Sequence, residues 1–600
     1  MEYDIIVTGA GHAGIEASLS SSRMGMKTLL ITGNLDTICH MSCNPSIGGT
    51  GKGQLVKEID ALGGVMGLAI DATGIHFKML NTGKGKAVWS PRAQADKKHY
   101  SGYMKLLVES QINLDILQGW VEKIIIENNK IKGIKTDLGI EFKTKTLIIC
   151  TGTFLNGIIH IGEKKFNAGR LGELPSVKLS DEIKNLGIQT GRLKTGTPPR
   201  INKNSIDFSK IKVQKSDEKP VPFSFRTERI NRPITDCYIT WTGRETHRII
   251  EENLYRSPLY TGQIKSTGPR YCPSIEVKII RFPGKDSHQI FLEPEGLDTD
   301  EMYVNGFSTS IPVDVQEKAM RTIPGLENVK IMRYGYAIEY DFIYPWQLTP
   351  SLEYKHLQGL FFAGQINGTS GYEEAASQGI IAGINASLKI KGEEPFILSR
   401  GQAYVGVLID DLITKELTEP YRIFTSRVEY RLLLRQDNAD FRLMESGKKF
   451  GLIDEKTYNK MEHEKQTVKK ICSELNNSYR PDKEKLSYAD YLKRPEMKFT
   501  DIEKLQPAYS CLPEKIKEEV EIEIKYEGYI KRELSMIKKF SSLENVRLPG
   551  KIDYSMIKTL STEAREKLQK HKPVSVGQAK RMDGISPSDI TAILIYLKVL

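Results

Sequence analysis

Seven cysteines and one glycine turn are the residues of this chain whose types and spacing could do chemistry. The cysteines stand far apart, at positions 39, 43, 150, 237, 272, 472 and 511. Cys272 lies two residues after Arg270, and a nearby cation favours the nucleophilic thiolate. Cys43 lies in a long glycine-rich loop, although Cys39, four residues earlier, leaves a redox pair open. A small buried hydrophobic residue is the commoner fate of a cysteine, and the other four are interpreted as structural.

The glycine turn is Gly9-Ala-Gly-His-Ala-Gly14. An apolar β-branched run precedes it at residues 4–8, residues 15–26 follow at helical spacing, and a second apolar run covers 28–32. This order predicts the βαβ unit that binds a dinucleotide, with the pyrophosphate at the helix N-terminus. Asn34 stands where such units carry an acid for the ribose, and Asp36 is the nearest carboxylate, so the ribose contact stays open. His12 is interpreted as a turn-facing residue rather than a general base.

Two later stretches are predicted to return to the same sheet. Residues 146–152 and 359–365 each read as a buried strand that ends in glycine, and a helix is predicted from Tyr372 to Leu388. Its N-terminus would point into the dinucleotide cleft, where it could stabilise negative charge on a bound ring. Glu373 and Glu374 would satisfy the dipole of this helix. Residues 200–345 read as an inserted domain. From Ser399 the pattern is helical and charged, with one long helix expected over 514–540 and about three short ones after 555.

Basic residues suggest an anionic partner. Lys and Arg number 86 against 75 acids, a net charge of +11. Arg427, Arg431 and Arg435 are four apart and would share one helix face that could bind nucleic-acid phosphates. Pairing with neighbouring acids at 429, 437 and 440 is an equal alternative. Further candidates for phosphate contacts are Lys52, Arg92 and Lys278.

Several classes of protein are excluded. No C-x-x-C pair occurs, so neither a disulfide framework nor a metal site is predicted, and a reducing cytoplasmic location fits best. A Walker A loop would need glycine at 46 and Ser or Thr at 53, where the chain has Ser46 and Gly53. No apolar run approaches the roughly twenty residues of a membrane span. The first strand begins directly after Met1, which leaves no room for a signal peptide.

Two stretches resemble the MnmG (GidA) family, which modifies the wobble uridine of tRNA. They are GPRYCPSIEVKIIRF at 268–282 and AGQINGTSGYEEAASQGIIAGINA at 363–386. Shorter stretches also match: MSCNPSIGG at 41–49, PRAQAD at 91–96, KTGTPPR at 194–200, residues 421–440, and HKP and ISP in the tail. The similarity covers nearly the whole chain.

The resemblance implies an α/β fold. It consists of an FAD-binding Rossmann-like domain of the glutathione-reductase type (1–199 and 346–400), an inserted α/β domain on the NADH and substrate side (200–345), and a C-terminal all-helical domain for tRNA and partner binding (401–600). It also implies a homodimer, a partner GTPase of the MnmE type that supplies methylene-tetrahydrofolate, FAD as cofactor and NADH as reductant. The group added to carbon 5 would be aminomethyl or carboxymethylaminomethyl.

The resemblance also assigns site residues. Cys43 and Cys272 would be the active-site thiols. The residues expected to contact FAD are Gly9, Ala10, Gly11, His12, Ala13, Gly14, Val121, Ser176 and Gln365. The segment assigned to NAD comprises Gly268, Pro269, Arg270, Tyr271, Pro273, Ser274, Ile275, Glu276, Val277, Lys278, Ile279, Ile280, Arg281 and Phe282.

A thiol suits this chemistry because carbon 5 of uracil becomes nucleophilic only after a group adds to carbon 6. Which thiol attacks is left open. Three other interpretations stay open at this point: the folate-dependent tRNA methyltransferase TrmFO, whose family lacks the helical C-terminal region; a flavin disulfide reductase using Cys39 and Cys43; and a flavin-bound tRNA-binding scaffold. The reductases use C-x-x-x-x-C, whereas this chain has C-x-x-x-C.

Overall fold

The computed structural model describes residues 1–270, 273–480, 483–544, 546–550 and 552–599. Its strands are β1 (Glu2–Thr8), β2 (Thr28–Thr32), β3 (Ser46–Gly48), β4 (Gly74–Leu80), β5 (Ser90–Ala95), β6 (Leu114–Gln118), β7 (Val121–Glu127), β8 (Lys130–Thr136), β9 (Glu141–Ile149), β10 (Ile158–Ile161), β11 (Lys164–Asn167), β12 (Thr190–Thr197), β13 (Arg200–Asn202), β14 (Lys212–Gln214), β15 (Cys237–Trp241), β16 (Gln289–Pro294), β17 (Glu301–Asn305), β18 (Ile331–Arg333), β19 (Tyr336–Ile343), β20 (Leu360–Phe362), β21 (Tyr479–Arg480) and β22 (Lys483–Ser487).

The helices over the same described ranges are α1 (His12–Arg23), α2 (Lys52–Ala61), α3 (Met66–Thr73), α4 (Lys97–Glu109), α5 (Val177–Asn185), α6 (Arg244–Glu252), α7 (Ile275–Arg281), α8 (Val313–Met320), α9 (Tyr372–Lys391), α10 (Tyr404–Thr414), α11 (Ala439–Lys449), α12 (Glu455–Asn477), α13 (Tyr488–Leu492), α14 (Phe499–Leu505), α15 (Glu514–Lys525), α16 (Glu527–Glu544), α17 (Thr562–His571), α18 (Val576–Arg581) and α19 (Pro587–Val599).

A parallel sheet forms the centre of the first four hundred residues. Strands β6, β2, β1, β9 and β20 run parallel, and β8 and β7 extend the sheet antiparallel. Val7 of β1 lies opposite Leu30 on one side and Ile148 on the other. Its β-branched neighbours are fully buried because both faces of the strand are covered. The predicted βαβ unit and both returning strands are confirmed.

The strand order places a ligand site at the end of β1. The chain passes from β1 through α1 to β2 on one side, whereas β9 and β20 lie on the other. Ligands of such sheets bind where the strand order diverges, beyond the carboxyl ends of the strands. Three further sheets surround this edge: β3-β5-β4, β11-β10-β19-β12 and β14-β15-β16-β17-β13-β18. Through the second and third of these, β12 and β17 reach the same region.

Helix α2 joins this first half to the C-terminal helices. Glu58 on α2 is fully buried. It accepts hydrogen bonds from the backbone amides of Tyr404 and Val405, at 2.9 and 3.0 Å, and pairs with Arg442 at 2.9 Å. A carboxylate from the first half therefore caps α10.

The α/β class with a C-terminal helical region is confirmed, and the short hairpin β21–β22 is an addition to the predicted all-helical region. The single helix predicted over 514–540 is wrong, because the chain forms α15 and α16 with Tyr526 between them. Ile516 and Val520 of α15 are buried in one cluster, whereas Ile537 of α16 packs beside Gly401. The apolar faces of α15 and α16 therefore pack against different parts of the protein, which a single straight helix could not allow. Within the described ranges, no helix is long and apolar enough to cross a bilayer.

Candidate functional site

A cavity of about 470 Å³ opens at the carboxyl ends of β1, β2, β9 and β20. Its walls come from segments that are far apart in the sequence. The lining includes Gly9, Ala10, Gly11, His12, Ala13, Asn34, Cys43, Lys52, Arg92, Ser176, Thr195, Gly196, Gln365, Gly371, Tyr372 and Glu373. Most of the residues predicted to contact FAD therefore line one cavity; Gly14 packs behind it, and Val121 is buried in β7 outside the lining.

The three glycines of the turn do different work. Gly9 has φ +98°, and a Cβ there would lie 2.3 Å from the carbonyl oxygen of Cys150. A Cβ on Gly14 would lie 1.8 Å from the carbonyl oxygen of Gly9, so this glycine lets α1 pack on the turn. Gly11 lines the cavity, and no described atom lies within 4 Å of the Cβ position there. The open space beside Gly11 is the room that a pyrophosphate needs to approach the backbone.

Two helix N-termini point at this cavity. Helices α1 and α9 follow parallel strands and pack side by side, with Gly379 against Ala13 and Gly383 against Ala17. The N-cap residues of the two helices, Gly11 and Gly371, have no side chain that could cap the helix N-terminus. Their first amides therefore supply donors and partial positive charge to an anionic ligand. The predicted aim of α9 into the dinucleotide cleft is confirmed.

Lys52 neutralises the acids that open α9. Its ammonium lies 2.8 Å from Glu373 and 3.3 Å from Glu374, both buried. Glu373 also accepts the amide of Gly48 at 2.7 Å. Burial alone would raise the pKa of Glu373, but the charge and hydrogen bond of Lys52 together with backbone amides outweigh burial and the pKa is lowered. Lys52 thus serves these carboxylates, not a phosphate as expected; Arg92 is similarly paired with Glu293 at 2.8 Å.

His12 is the first residue of α1 and faces Tyr372. Their rings stack with centroids 4.6 Å apart, and His12 is 6% exposed. Burial lowers the pKa of His12 to about 4, so the ring is neutral at pH 7. Its Nε2 atom is buried and has no hydrogen-bond partner among the described residues. A neutral, stacked ring with one unsatisfied nitrogen fits a bound ligand better than a general base.

Asp36 does not supply the carboxylate that βαβ units of this kind usually carry for the ribose. Asn34 lines the cavity, and its side chain accepts the backbone amide of Asp36 at 2.8 Å. Asp36 is exposed and pairs with Lys105 at 2.8 Å. Of the two candidates, only Asn34 lies where a ribose could contact it.

Cys43 stands on the cavity wall and is held by contacts from three other segments of the chain. Its sulfur lies 3.3 Å from the hydroxyl of Tyr303 and 3.5 Å from the carbonyl oxygen of Gly196. Its amide donates to the hydroxyl of Tyr372 at 3.0 Å, and its carbonyl accepts from Arg200 at 3.3 Å. The thiol is half-buried, so a ligand in the cavity can reach it.

Arg200 forms a buried charged support behind Cys43. It is 3% exposed and pairs with Glu295 at 2.9 Å, while Lys97 contacts the same carboxylate at 3.0 Å. Another nitrogen of its fork donates to the carbonyl of Ser42 at 2.8 Å. Burial would raise the pKa of Glu295, but the two cations lower it to about 2. The pair is therefore fully charged at neutral pH and fixes the backbone before Cys43.

Tyr271 and Cys272 lie outside the described residues. On one side, the amide of Lys194 donates to the carbonyl of Thr267 at 3.1 Å, directly before Gly268. On the other, the amide of Ile275 donates to the carbonyl of Ser308 at 2.7 Å.

None of the described residues predicted for the NAD segment lines the cavity. From Ile275 to Arg281 the segment forms α7, which buries Ile275, Glu276 and Ile279. Lys278 donates to the carbonyl of Gly306 at 2.7 Å. The segment begins with Gly268 against the side chain of Lys194, which precedes the lining residue Thr195. Its assignment to NAD stays a prediction.

The redox-pair interpretation of Cys39 and Cys43 loses its support. Cys39 is 1% exposed, and burial raises the pKa of its thiol. A buried thiol of this kind is inert.

The predicted arginine stripe is wrong. Residues 425–427 form a single 3₁₀ turn, and 428–438 form turns rather than a helix. The carbonyl of Leu432 is taken by the Arg435 side chain at 2.8 Å and that of Leu433 by Asn438 at 3.1 Å, so side chains replace helical amides.

Arg435 itself is 1% exposed and paired with Asp437 and Glu519, which confirms the structural alternative for this residue. Arg427 lies over the ring of Tyr421, 4.7 Å from its centroid, with Asp411 at 3.8 Å. Arg431 is exposed. Of the three, Arg431 keeps the surface position that binding a phosphate requires.

Sequence reasoning gave no role to Arg200, Tyr303 or the Tyr372 hydroxyl. Arg200 is the last residue of the stretch 194–200, which resembles the family but carried no predicted role. Tyr303 carries no local signal, because only the pairing of β17 with β13 brings it to Cys43.

Three sequence-family models match the chain. Residues 4–394 match "Glucose inhibited division protein A", 455–534 match the "tRNA modifying enzyme MnmG/GidA C-terminal helical domain", and 536–600 match the corresponding "C-terminal helical bundle". The "tRNA uridine 5-carboxymethylaminomethyl modification enzyme MnmG" of Caldicellulosiruptor saccharolyticus is 52% identical over 100% of this chain and 98% of its own length. The enzyme of that name from Clostridium kluyveri is 54% identical over 99% and 98%. Aquifex aeolicus GidA, in its form I crystal, is 52% identical over the whole of both chains, with a TM-score of 0.93.

Proposed function

This chain belongs to the MnmG/GidA family, and from that premise we propose that it is an FAD-dependent enzyme that modifies carbon 5 of the wobble uridine of tRNA. Relatives more than half identical over their full length carry that activity in their names. One observation supports it most: the glycine turn and Cys43 line the same cavity. The C-terminal helical region favours this proposal over the TrmFO alternative, whose family lacks it.

The cavity fits FAD by several independent features. Gly11 leaves open space beside the backbone, and two helix N-termini point their amides at that space. The residues that would hold the cofactor are Gly9, Ala10, Gly11, Ala13, Asn34, Ser176 and Gln365. When bound, FAD supplies hydride transfer. Lys52 of α2 and Glu373 of α9 form an ion pair that lines the same cavity.

A thiolate would activate the uracil. The thiolate of Cys43 or Cys272 adds to carbon 6, so that the sulfur–carbon bond forms and the electron pair of the 5,6 double bond moves to the carbon 4 oxygen as an enolate. Carbon 5 then attacks the methylene carbon of the donor, so that a carbon–carbon bond forms and the electron pair of one methylene–nitrogen bond moves to the folate nitrogen. Ammonium or glycine would later displace the remaining folate nitrogen from the methylene group, which releases tetrahydrofolate. Loss of the carbon 5 proton and expulsion of the thiolate restore the double bond. Arg200 and Tyr372 hold the backbone of Cys43 on the wall where this addition would occur.

The remaining reactants and partners follow from the family resemblance. We propose NADH as the reductant, methylene-tetrahydrofolate as the carbon donor and a GTPase of the MnmE type as the partner that supplies it. The enzyme would act in the cytoplasm as a homodimer, with the C-terminal helices as the surface for tRNA and partner.

The cofactor part is tested by colour. Purified protein should be yellow and release FAD on denaturation. A colourless preparation that cannot be reconstituted with FAD would contradict it.

The thiol part is tested in a strain that lacks this gene and carries single variants. Cys43→Ser and Cys272→Ser should keep the flavin and abolish the modified wobble nucleoside, as measured by mass spectrometry of tRNA digests. Cys511→Ser is the matched control, because Cys511 is exposed and remote from the cavity. Unchanged nucleoside levels in both test variants would support a flavin-bound scaffold without chemistry of its own.

A further inference from the structure

Tyr303 is the side chain whose hydroxyl approaches the sulfur of Cys43. The two atoms are 3.3 Å apart, and Tyr303 is 3% exposed, so the phenol is not free to turn to solvent. It belongs to β17, which pairs with β13 and β16 and is thereby fixed relative to Cys43. The sulfur also lies 3.5 Å from the carbonyl oxygen of Gly196.

A cation lies over the ring of this tyrosine. The Arg200 guanidinium is 4.9 Å from the ring centroid of Tyr303 and is anchored by Glu295. A cation over an aromatic face is attracted to the ring electrons and draws density from them. The phenol thereby becomes a stronger hydrogen-bond donor. Arg200 thus acts on Cys43 twice, through its backbone carbonyl and through the ring of Tyr303.

We propose that Tyr303, polarised by Arg200, is a positioning residue whose hydroxyl donates a hydrogen bond to the Cys43 thiolate. The inference deepens the proposed function, since it rests on Cys43 being one of the active thiols. The two sulfur contacts with described residues suit different protonation states of the thiol. A carbonyl oxygen only accepts, so Gly196 can bind the S–H of the thiol but repels the thiolate. Tyr303 can donate to the anion, and a hydrogen bond to a charged form stabilises it.

Tyr303→Phe tests this by removing a single oxygen while keeping the ring. The measurement is the rate of Cys43 alkylation by iodoacetamide as a function of pH, resolved by peptide mass spectrometry. In that reaction the thiolate supplies the electron pair, the sulfur–carbon bond forms and iodide leaves. The variant should raise the apparent thiol pKa by about one, which slows alkylation about tenfold at neutral pH, and leave the high-pH plateau unchanged.

Tyr303→3-fluorotyrosine provides the opposite change, because its phenol is the stronger donor. It should lower the apparent thiol pKa and retains both ring and hydroxyl if the phenylalanine variant fails to fold. Tyr238→Phe is the matched control, since Tyr238 is a tyrosine on β15 of the same sheet as Tyr303 and packs against Phe208, and no described contact joins it to Cys43. The alkylation profile of Cys43 should not move in that variant.

Two results would overturn the inference. An unchanged midpoint in both Tyr303 variants would leave the contact without effect on the thiolate. Faster alkylation of Tyr303→Phe at neutral pH would mean that Tyr303 accepts the thiol proton instead. The assay needs no tRNA, so it separates this inference from the proposed function: modification that survives Cys43→Ser would remove the role of Cys43 while leaving the alkylation result intact.

Discussion

The two ends of the cavity are built in different ways. At one end, six consecutive residues from Gly9 to Gly14 form the ligand cradle, and backbone geometry fixes it. At the other, Cys43 is placed by Gly196, Arg200, Tyr303 and Tyr372, which come from three segments far apart in the sequence.

The difference teaches where each end is vulnerable. The glycine turn depends on the absence of side chains, so added atoms damage it. The thiol end depends on buried polar side chains that satisfy one another, so removed atoms damage it.

Arg200 is the cation on which the Cys43 end of the cavity depends, and its loss tests the contrast with the glycine turn most strongly. Arg200→Met leaves Glu295 buried with Lys97 as its remaining described cation, and we expect about 3–5 kcal/mol of destabilisation and loss of tRNA modification. Urea unfolding and nucleoside analysis measure the two effects. The control is Arg333→Met, whose pair with Glu301 is more exposed and should contribute less than about 1 kcal/mol. Equal losses in the two variants would contradict the assignment.

Acid should damage the thiol end through Glu295. Its pKa in the folded protein, about 2, lies below its ordinary value of 4.5, so its ionisation stabilises the fold above about pH 4.5. That contribution, about 3 kcal/mol in total, is lost progressively as the pH falls from 4.5 towards 2. Unfolding midpoints of the wild type should therefore fall more steeply below about pH 5 than those of Glu295→Gln. Parallel pH profiles would count against this charged support.

Much of the cradle could be predicted from the sequence, because its signal is local. Three glycines at fixed spacing between a buried strand and a helix specify one backbone path, and β1, α1 and β2 follow it. The helix from Tyr372 was predictable for the same reason. The thiol end could not be predicted, because no spacing reveals that β17 carries Tyr303 to Cys43.

The arginines 427, 431 and 435 show how a local pattern misleads. Their spacing suits a helix, but Arg435 is buried and paired with Glu519. The backbone around it forms turns that bring its side chain into the interior. Long-range ion pairs of this kind leave no periodic signal.

The cradle is sharpened by two single substitutions. Gly14→Ala forces a Cβ against the carbonyl of Gly9 and should lower the free energy of unfolding by about 1–3 kcal/mol. The same variant should also lose flavin binding. Gly11→Ala meets no described protein atom, so the apoprotein should keep its melting temperature while FAD affinity falls by about tenfold or more. Thermal unfolding and fluorescence titration with FAD separate the two. Wild-type FAD affinity in Gly11→Ala would show that this space is not used by the ligand.

The smallest effect is expected on the surface. Arg431→Glu should weaken tRNA binding and reduce the salt slope of binding by about one, with stability unchanged. Arg435→Glu is the contrasting variant, since reversal of its buried charge should destabilise the fold instead. Filter binding over a range of salt concentrations, with unfolding curves beside it, measures both. An unchanged slope in Arg431→Glu would remove that arginine from the tRNA surface.

The cap that Glu58 places on α10 has a practical consequence for dissecting the protein. A fragment that stops near residue 400 would keep this carboxylate in the interior but lose Tyr404, Val405 and Arg442, the donors that satisfy it. Such a fragment should aggregate or misfold even though its sheet is whole, and Glu58→Gln is the substitution to introduce first when expressing it. The first four hundred residues therefore depend on the C-terminal region to satisfy a carboxylate in their own interior.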